Sequence, residues 1–142
     1  MRHRQLWCIP ASAGRRILVV EQKFRLLRQL GRPVIKTFNN IYARHLLELG
    51  RPKGKPGRIA LPVAGDNEAT KAIVLRLVDE LGFDGVDAGG LDESWRQQPG
   101  TPAYAKDFDA EGVRGALSKA TKERAPEWRA TANSPGSFTA PA

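Results

Sequence analysis

Cysteine occurs once in these 142 residues and histidine twice. A single thiol, Cys8, excludes an internal disulfide. His3 and His45 lie far apart, and neither makes a zinc-ligand spacing with Cys8, so no metal motif is present. A Cys8–His45 nucleophile pair has no supporting motif either. No apolar run approaches the ~20 residues of a membrane span. The start, Met1-Arg2-His3-Arg4 and then Leu6-Trp7-Cys8-Ile9, has too short an apolar stretch for an export signal, and Pro10 breaks it. A cytoplasmic setting without membrane contact is therefore expected. There is no internal repeat.

A glycine-rich phosphate turn is also missing. The spacing G-x-G-x-x-G places backbone N–H groups at a helix start, where they hold a dinucleotide pyrophosphate. Here Gly14 stands alone, Gly54 and Gly57 lie among Pro and Lys, and Gly89-Gly90 comes late.

What is present is basic, and unevenly so. The net charge is +8 at a pI near 10.2. Residues 1–60 hold 14 Lys+Arg against 2 acids, whereas residues 61–142 hold 9 against 13. The basicity belongs to the first half, much of it to residues 1–20 and to the loop Arg51–Arg58, built only of Arg, Pro, Lys and Gly. A basic half raises the possibility of a polyanionic partner. Base-stacking aromatics are not interleaved with the charges, which makes nucleic acid an unlikely partner.

The chain is the length of one ordinary domain. Glu21–Leu30 carries Phe24, Leu27 and Leu30 at helical spacing and ends at Gly31 and Pro33. Pro33–Phe38 reads as a strand stopped by Asn39-Asn40. Ile41–Leu49 reads as a helix ending at Gly50. Arg58–Ala64 is a second strand, and Pro62 within it suggests an irregular or edge position. Asp66–Leu81 is a helix capped by Asp66 or Asn67, with Ile73, Val74, Leu77, Val78 and Leu81 as its apolar stripe. Phe83–Ala88 is a third strand. Asp92–Tyr104 has no regular period. Asp109 caps a helix from Ala110 to about Glu123, which Gly112 and Gly115 weaken. The alternation of strand and helix predicts α/β: a partial Rossmann-like parallel sheet of about three strands with flanking helices. The expected layout is an unmatched basic segment 1–20, a domain over 21–128 and a disordered tail over 129–142.

Several blocks occur in a recognisable order: Lys36-Thr37-Phe38-Asn39-Asn40-Ile41-Tyr42-Ala43, then Leu61-Pro62-Val63-Ala64-Gly65-Asp66, Leu77–Phe83, Asp87-Ala88-Gly89-Gly90-Leu91 and Glu93–Pro102. Together they resemble the NADP oxidoreductases dependent on coenzyme F420, a deazaflavin, from about Glu21 to about Trp128. The resemblance covers the carboxyl-terminal part of that family; its glycine-fingerprint half has no counterpart here. It implies hydride transfer between NADP and F420, in which the protein aligns two rings and excludes water and needs no side-chain acid or base. It also implies that this chain by itself is inactive.

The candidate cofactor-binding residues are those at the ends of strands in the matched blocks: Asn39, Asn40 and Ile41 after the first, Gly89 and Gly90 after the third. Small residues at the second place let a ring approach the backbone. Set against ligand contact, Asn39 reads as the cap of the following helix. Trp95 reads either as a stacking platform or as an anchor for its loop. Asp92 and Glu93 read as solvated. Two further readings stand beside the redox one. A non-enzymatic remnant predicts an exposed sheet edge and self-association. A nucleic-acid binder predicts steep loss of affinity with salt.

Overall fold

The computed structural model of the protein describes residues 31–123. The expectations for Cys8, for residues 1–20, for the helix Glu21–Leu30 and for the tail lie outside them. The described residues form a small α/β fold: a three-stranded sheet with helices on both faces. In chain order the elements are β1 (Ile35–Lys36), α1 (Ala43–Glu48), β2 (Ala60–Gly65), α2 (Glu68–Glu80), β3 (Asp84–Asp87), a 3₁₀ helix (Leu91–Gln97) and α3 (Ala110–Ser118).

Strand β2 is the spine, with all six residues buried. Its side chains alternate between two cores, as period-2 geometry requires. Leu61 and Val63 join Ile59, Val78 and Phe83, with Ile35, Phe38, Ile41, Leu46, Val74 and Leu75 packed around them. Ala60 joins Val86, Ala103, Val113, Ala116 and Leu117 on the other face. Small side chains on this second side let α3 sit close to the sheet. Phe83, 0% exposed, is the largest side chain of the first core.

The sheet is mixed, which corrects the all-parallel expectation. β2 and β3 are parallel, with Ala60 opposite Asp84 and Val63 opposite Asp87. β1 and β2 are antiparallel, with Ile35 opposite Gly65 and Lys36 opposite Ala64. A parallel return would need a crossover helix running back along the strand. Here β1 runs toward the amino end of β2, and α1, only about 9 Å long at its six residues, leads on to the same end. There Arg51 N–H donates to Gly82 O (2.9 Å), just before β2 begins. The expected strand 33–38 is cut to two residues because Phe38 takes a left-handed backbone (φ +63°), an uncommon choice for a bulky residue. That turn swings its ring into the first core.

Pro62 is central, not at an edge. The carbonyls of Ile59 and Val63 accept from Asp84 and Ala88 of the β3 side, while Ala60 N–H donates away from it to Phe108 O (2.8 Å). Residue 62 points the same way as residue 60. β1 pairs only with residues 64 and 65, so the N–H that proline lacks is not needed by either neighbouring strand.

Helix α2 matches the expected span and is capped by Asn67, whose Oδ1 accepts from Thr70 N–H (2.8 Å). Its stripe is only half right. Val78 is buried and Val74 packs on the core, but Ile73, Leu77 and Leu81 are exposed, while Lys71 is buried. Helix α3 is capped by Asp109 as expected, through Gly112 N–H (2.8 Å), and ends at Ser118 rather than near Glu123. Both outer strands are short, and Asp84 and Asp87 bracket β3, which blunts the edge expected to drive self-association. Among the described residues no helix is long and apolar enough to cross a membrane.

Candidate functional site at the carboxyl end of the parallel strands

The two ends of β2 are built differently. At the amino end, Arg58 is 4% exposed and makes four hydrogen bonds. Its Nη1 donates to Asp79 Oδ1 (2.8 Å) and Asp84 Oδ1 (2.6 Å), its Nη2 to Asp79 O (2.8 Å) and its Nε to Arg51 O (3.0 Å). The Arg58 hydrogen bond holds the Asp79 carboxyl below its usual range, against a smaller opposing effect of desolvation and with help from Lys53. A buried guanidinium with these four bonds is a clamp joining the start of β2, the end of α2 and β3. The cavity beside it, about 430 Å³, is lined by that clamp and by Leu46, Leu47, Lys53 and Leu81.

The carboxyl end is made of strand exits and turns. The chain leaves β2 at Gly65 and Asp66, and β3 at Asp87, Ala88, Gly89 and Gly90. Gly65 N–H donates to Gly89 O (2.9 Å), tying the two exits together. Asp66 Oδ1 accepts from Leu91 N–H (2.7 Å). Asp87 Oδ1 accepts from Gly89 N–H (2.9 Å) and lies 3.0 Å from Lys71 Nζ. Lys71 also reaches Glu68 Oε1 (2.8 Å). The Glu68 bond raises the Lys71 pKa against the lowering effect of burial, and Asp87 adds to the rise. Desolvation works to raise the Asp87 carboxyl, but the Gly89 N–H and Lys71 outweigh it and hold the group below its usual range. Beside these exits a cleft of about 310 Å³ is lined by Pro33, Val34, Asp66, Asn67 and Leu91. This is where ligands of open α/β sheets sit, beyond the carboxyl ends of parallel strands.

Of the five expected site residues, one keeps an open face. Gly89 has φ +80°, and a Cβ there would meet only Glu93 Cβ, at 3.9 Å. Gly90 lies between two carboxylates: a Cβ would meet Asp92 Oδ1 (2.7 Å) and Asp66 Oδ1 (2.9 Å), and both side chains would have to move aside. Ile41 packs against the first core. Asn39 does not cap α1, whose N-cap is Tyr42 with no side-chain cap bond. Its Nδ2 donates to Gln97 O (2.6 Å), and Gln97 Nε2 returns bonds to Asn39 Oδ1 (3.2 Å) and Lys36 O (3.3 Å). Asn40, 3% exposed, donates to Ala103 O (3.3 Å). The amide pair therefore stitches the end of β1 to the 97–103 loop. It lies across the 3₁₀ helix from Gly90, which begins at Leu91 and ends at Gln97, a span of about 14 Å.

Sequence reasoning passed over Gln97, which is wholly buried, and Lys71. The signal for Lys71 was available, since Glu68 precedes it by three residues on one helix face. Nothing local marks Gln97, whose partners are 58 and 61 residues away. Trp95 behaves as a loop anchor: the Arg96 guanidinium lies 4.4 Å and the Lys122 ammonium 5.4 Å from its ring centre. Glu93 pairs with Arg96 (2.5 Å). His45 Nδ1 lies 2.7 Å from Asp107 Oδ2, both half-buried. Among the described residues no group of three or more His, Cys, Asp or Glu is placed to hold a metal ion.

Fold and cleft together define a small α/β unit with a glycine at the open end of its parallel pair. Among known proteins, the chain is 45% identical over 71 residues to the Escherichia coli (strain K12) protein YjhV, an overlap of 50% of this chain and 52% of that protein. The chain thus spans about half the length of the curated relative it matches. No family model matches the chain, and no solved structure matches it.

Proposed function

We infer that this chain carries the ring-binding part of an oxidoreductase that moves hydride between NADP and the deazaflavin F420. One observation carries the reading: Gly89, with a left-handed backbone and an open face, stands at the carboxyl end of the parallel β2–α2–β3 unit, beside a cleft. The ordered motif blocks support it independently. The antiparallel pairing of β1 narrows the Rossmann-like part to that unit, so the reading rests on β2, α2 and β3.

The residues present fit a flat ring at one place and not at another. A ring can lie against the Cα of Gly89. It cannot take the position beside Gly90, which the Asp66 and Asp92 carboxylates occupy. When bound, the two cofactors supply the hydride chemistry. The chain's own part is to orient: the Asp87 bond fixes the Gly89 N–H, the Gly65 bond fixes its carbonyl, and Leu91 closes one wall of the cleft. Asn39 and Asn40 act from a distance by holding the loop that follows the 3₁₀ helix.

Because the sequence has no glycine-rich phosphate turn, the chain by itself binds the ring end weakly and turns over little or nothing. Binding of NADPH and of F420 to the purified chain, followed by their fluorescence, tests this. Gly89→Asn is the informative variant, since asparagine tolerates that backbone and places a side chain in the ring position. Binding to the parent chain that this variant abolishes supports the reading. No binding of either cofactor, or equal binding by both proteins, overturns it.

A further inference from the structure

Helix α2 carries more apolar surface than the core takes up. Val74 and Val78 pack inward, but Ile73 (58% exposed), Leu77 (44%) and Leu81 (48%) form a second stripe that faces solvent. At a spacing of four residues these side chains stand one above another along one side of the helix. Which side follows from the neighbours. Asp79, one position after Val78, turns to Arg58 and the β3 side. Leu77, one position before Val78, turns the opposite way by the same step of about 100°, toward β1 at the other edge of the sheet. There Leu81 lines the cavity of about 430 Å³ together with Leu46 and Leu47 of α1. Leu47 is itself 84% exposed. Apolar surface that runs on from a helix face into a groove marks a place where another segment docks.

We propose that residues 21–30 of the same chain, which precede the described ones, seat on this face as a helix antiparallel to α2. Leu30 then lies against Ile73, Leu27 against Leu77, and Phe24 over Leu81 at the α1 groove. The segment Glu21–Leu30 carries those three apolar residues at helical spacing. Gly31 follows with φ +56°, and a Cβ there would meet nothing within 4 Å, so this glycine answers a need for left-handed backbone, not for space. A left-handed glycine is the usual residue just past a helix end, here an end at Leu30. The chain also arrives at the right place, since Pro33 and Val34 line a cleft with Asn67, the cap of α2. Residues 31–33 reach about 10 Å when extended, and Ile73 lies about 9 Å along the axis from Asn67. Ten helical residues cover about 15 Å, against about 12 Å from Ile73 to Leu81. Charge agrees with this direction. Lys23 comes to the carboxyl end of α2, where Glu80 is exposed and a cation suits the helix dipole. A second copy could present the same segment, but a tether this short gives the chain's own segment an effective concentration on the order of mM.

Two measurements on the full chain test this. Amide hydrogen exchange over residues 24–30 is expected to be slowed about tenfold or more relative to an unstructured peptide. Leu77→Glu is expected to abolish that slowing while Val63 and Val113 keep theirs. Independently, in a Cys8→Ser background, Leu27→Cys with Leu77→Cys is expected to close a disulfide within one molecule on mild oxidation, because facing positions come within reach of a bridge. Leu27→Cys with Arg114→Cys, on α3 across the sheet, stays open. Unslowed exchange over 24–30 in the parent chain overturns the proposal, as does slowing that survives in Leu77→Glu. Should Leu77→Glu loosen Val63 and Val113 as well, the cross-link decides. A disulfide that forms only between molecules gives the face to a second copy and overturns the proposal. Equal closure by the α3 pair, or closure by neither pair, overturns it too.

Discussion

The amino and carboxyl ends of β2 hold similar numbers of charges and use them for opposite purposes. At the amino end Arg58 satisfies two carboxylates and two carbonyls and is itself 4% exposed. The guanidinium itself is spent on the fold, although Lys53 and the two carboxylates beside it keep exposed surface. At the carboxyl end Lys71 is buried just as deeply, but its partners Glu68 and Asp87 remain half-exposed or more, and the backbone beside them turns through a glycine with an open face. The first arrangement spends its polar groups on holding strands together. The second holds a loop in place and leaves room in front of it.

The largest effect that sharpens this contrast comes from the clamp. Arg58→Ala strands Asp79 and Asp84 side by side and is expected to lower stability by about 3 kcal/mol, since removing one partner of a buried pair leaves the others uncompensated. Urea unfolding measures it. Cofactor-fragment binding at the far end, measured where the variant is still folded, stays unchanged; a parallel loss of binding breaks the distinction between the ends.

The amide stitch comes next. Gln97→Ala removes the donor to Lys36 O and Asn39 Oδ1 inside the protein and is expected to cost about 2 kcal/mol, with Asn39→Ala costing about 1 kcal/mol. A double-mutant cycle gives a coupling near the smaller value if the two side chains act as one unit. Loss of binding with unchanged stability in Asn39→Ala returns that residue to the ligand site.

The pH dependence is smaller and differs between the ends. Asp79 and Asp87 have lowered folded-state values, so their contribution is complete above the ordinary carboxylate range near 3.9 and disappears as pH falls through the folded values. Lys71 has a raised value, so its contribution is complete below about 10.4 and disappears as pH rises through the folded value. Asp79→Asn therefore flattens part of the acid limb of a stability profile without touching the alkaline one, whereas Lys71→Met flattens the alkaline limb and also, by removing a group that lowers Asp87, part of the acid limb. An Asp79→Asn variant that also flattens the alkaline limb contradicts the separation of the two clusters.

How much of this was legible in the sequence depends on the range of the interactions. Helices α2 and α3 announce themselves through Asn67 and Asp109, caps that bond within three residues. Strand β2 stands out as a short apolar run between turn residues, and β3, with Val86 as its one large apolar residue, is marked by the glycines on either side of it. The direction of β1 was not legible, because it follows from a left-handed turn at Phe38 and from α1 continuing onward instead of doubling back, neither of which has a local signature. The same holds for the site. Gly89 was singled out because a glycine after a strand is a local signal. Asn39 reads as a cap and caps nothing, and the bonds of Asn39 and Asn40 to Gln97 and Ala103, 58 and 63 residues away, have no local signature.

The central claim is that ligand binding belongs to the carboxyl end of the parallel pair. Titrating NADPH, and separately F420, into isotope-labelled protein while following backbone amide resonances tests it most directly. The account predicts shifts concentrated at Gly65, Asp66, Gly89 and Leu91, with Arg51, Arg58 and Asp79 unmoved. Shifts concentrated instead at Arg51–Arg58, or no shift anywhere at saturating ligand, contradict it.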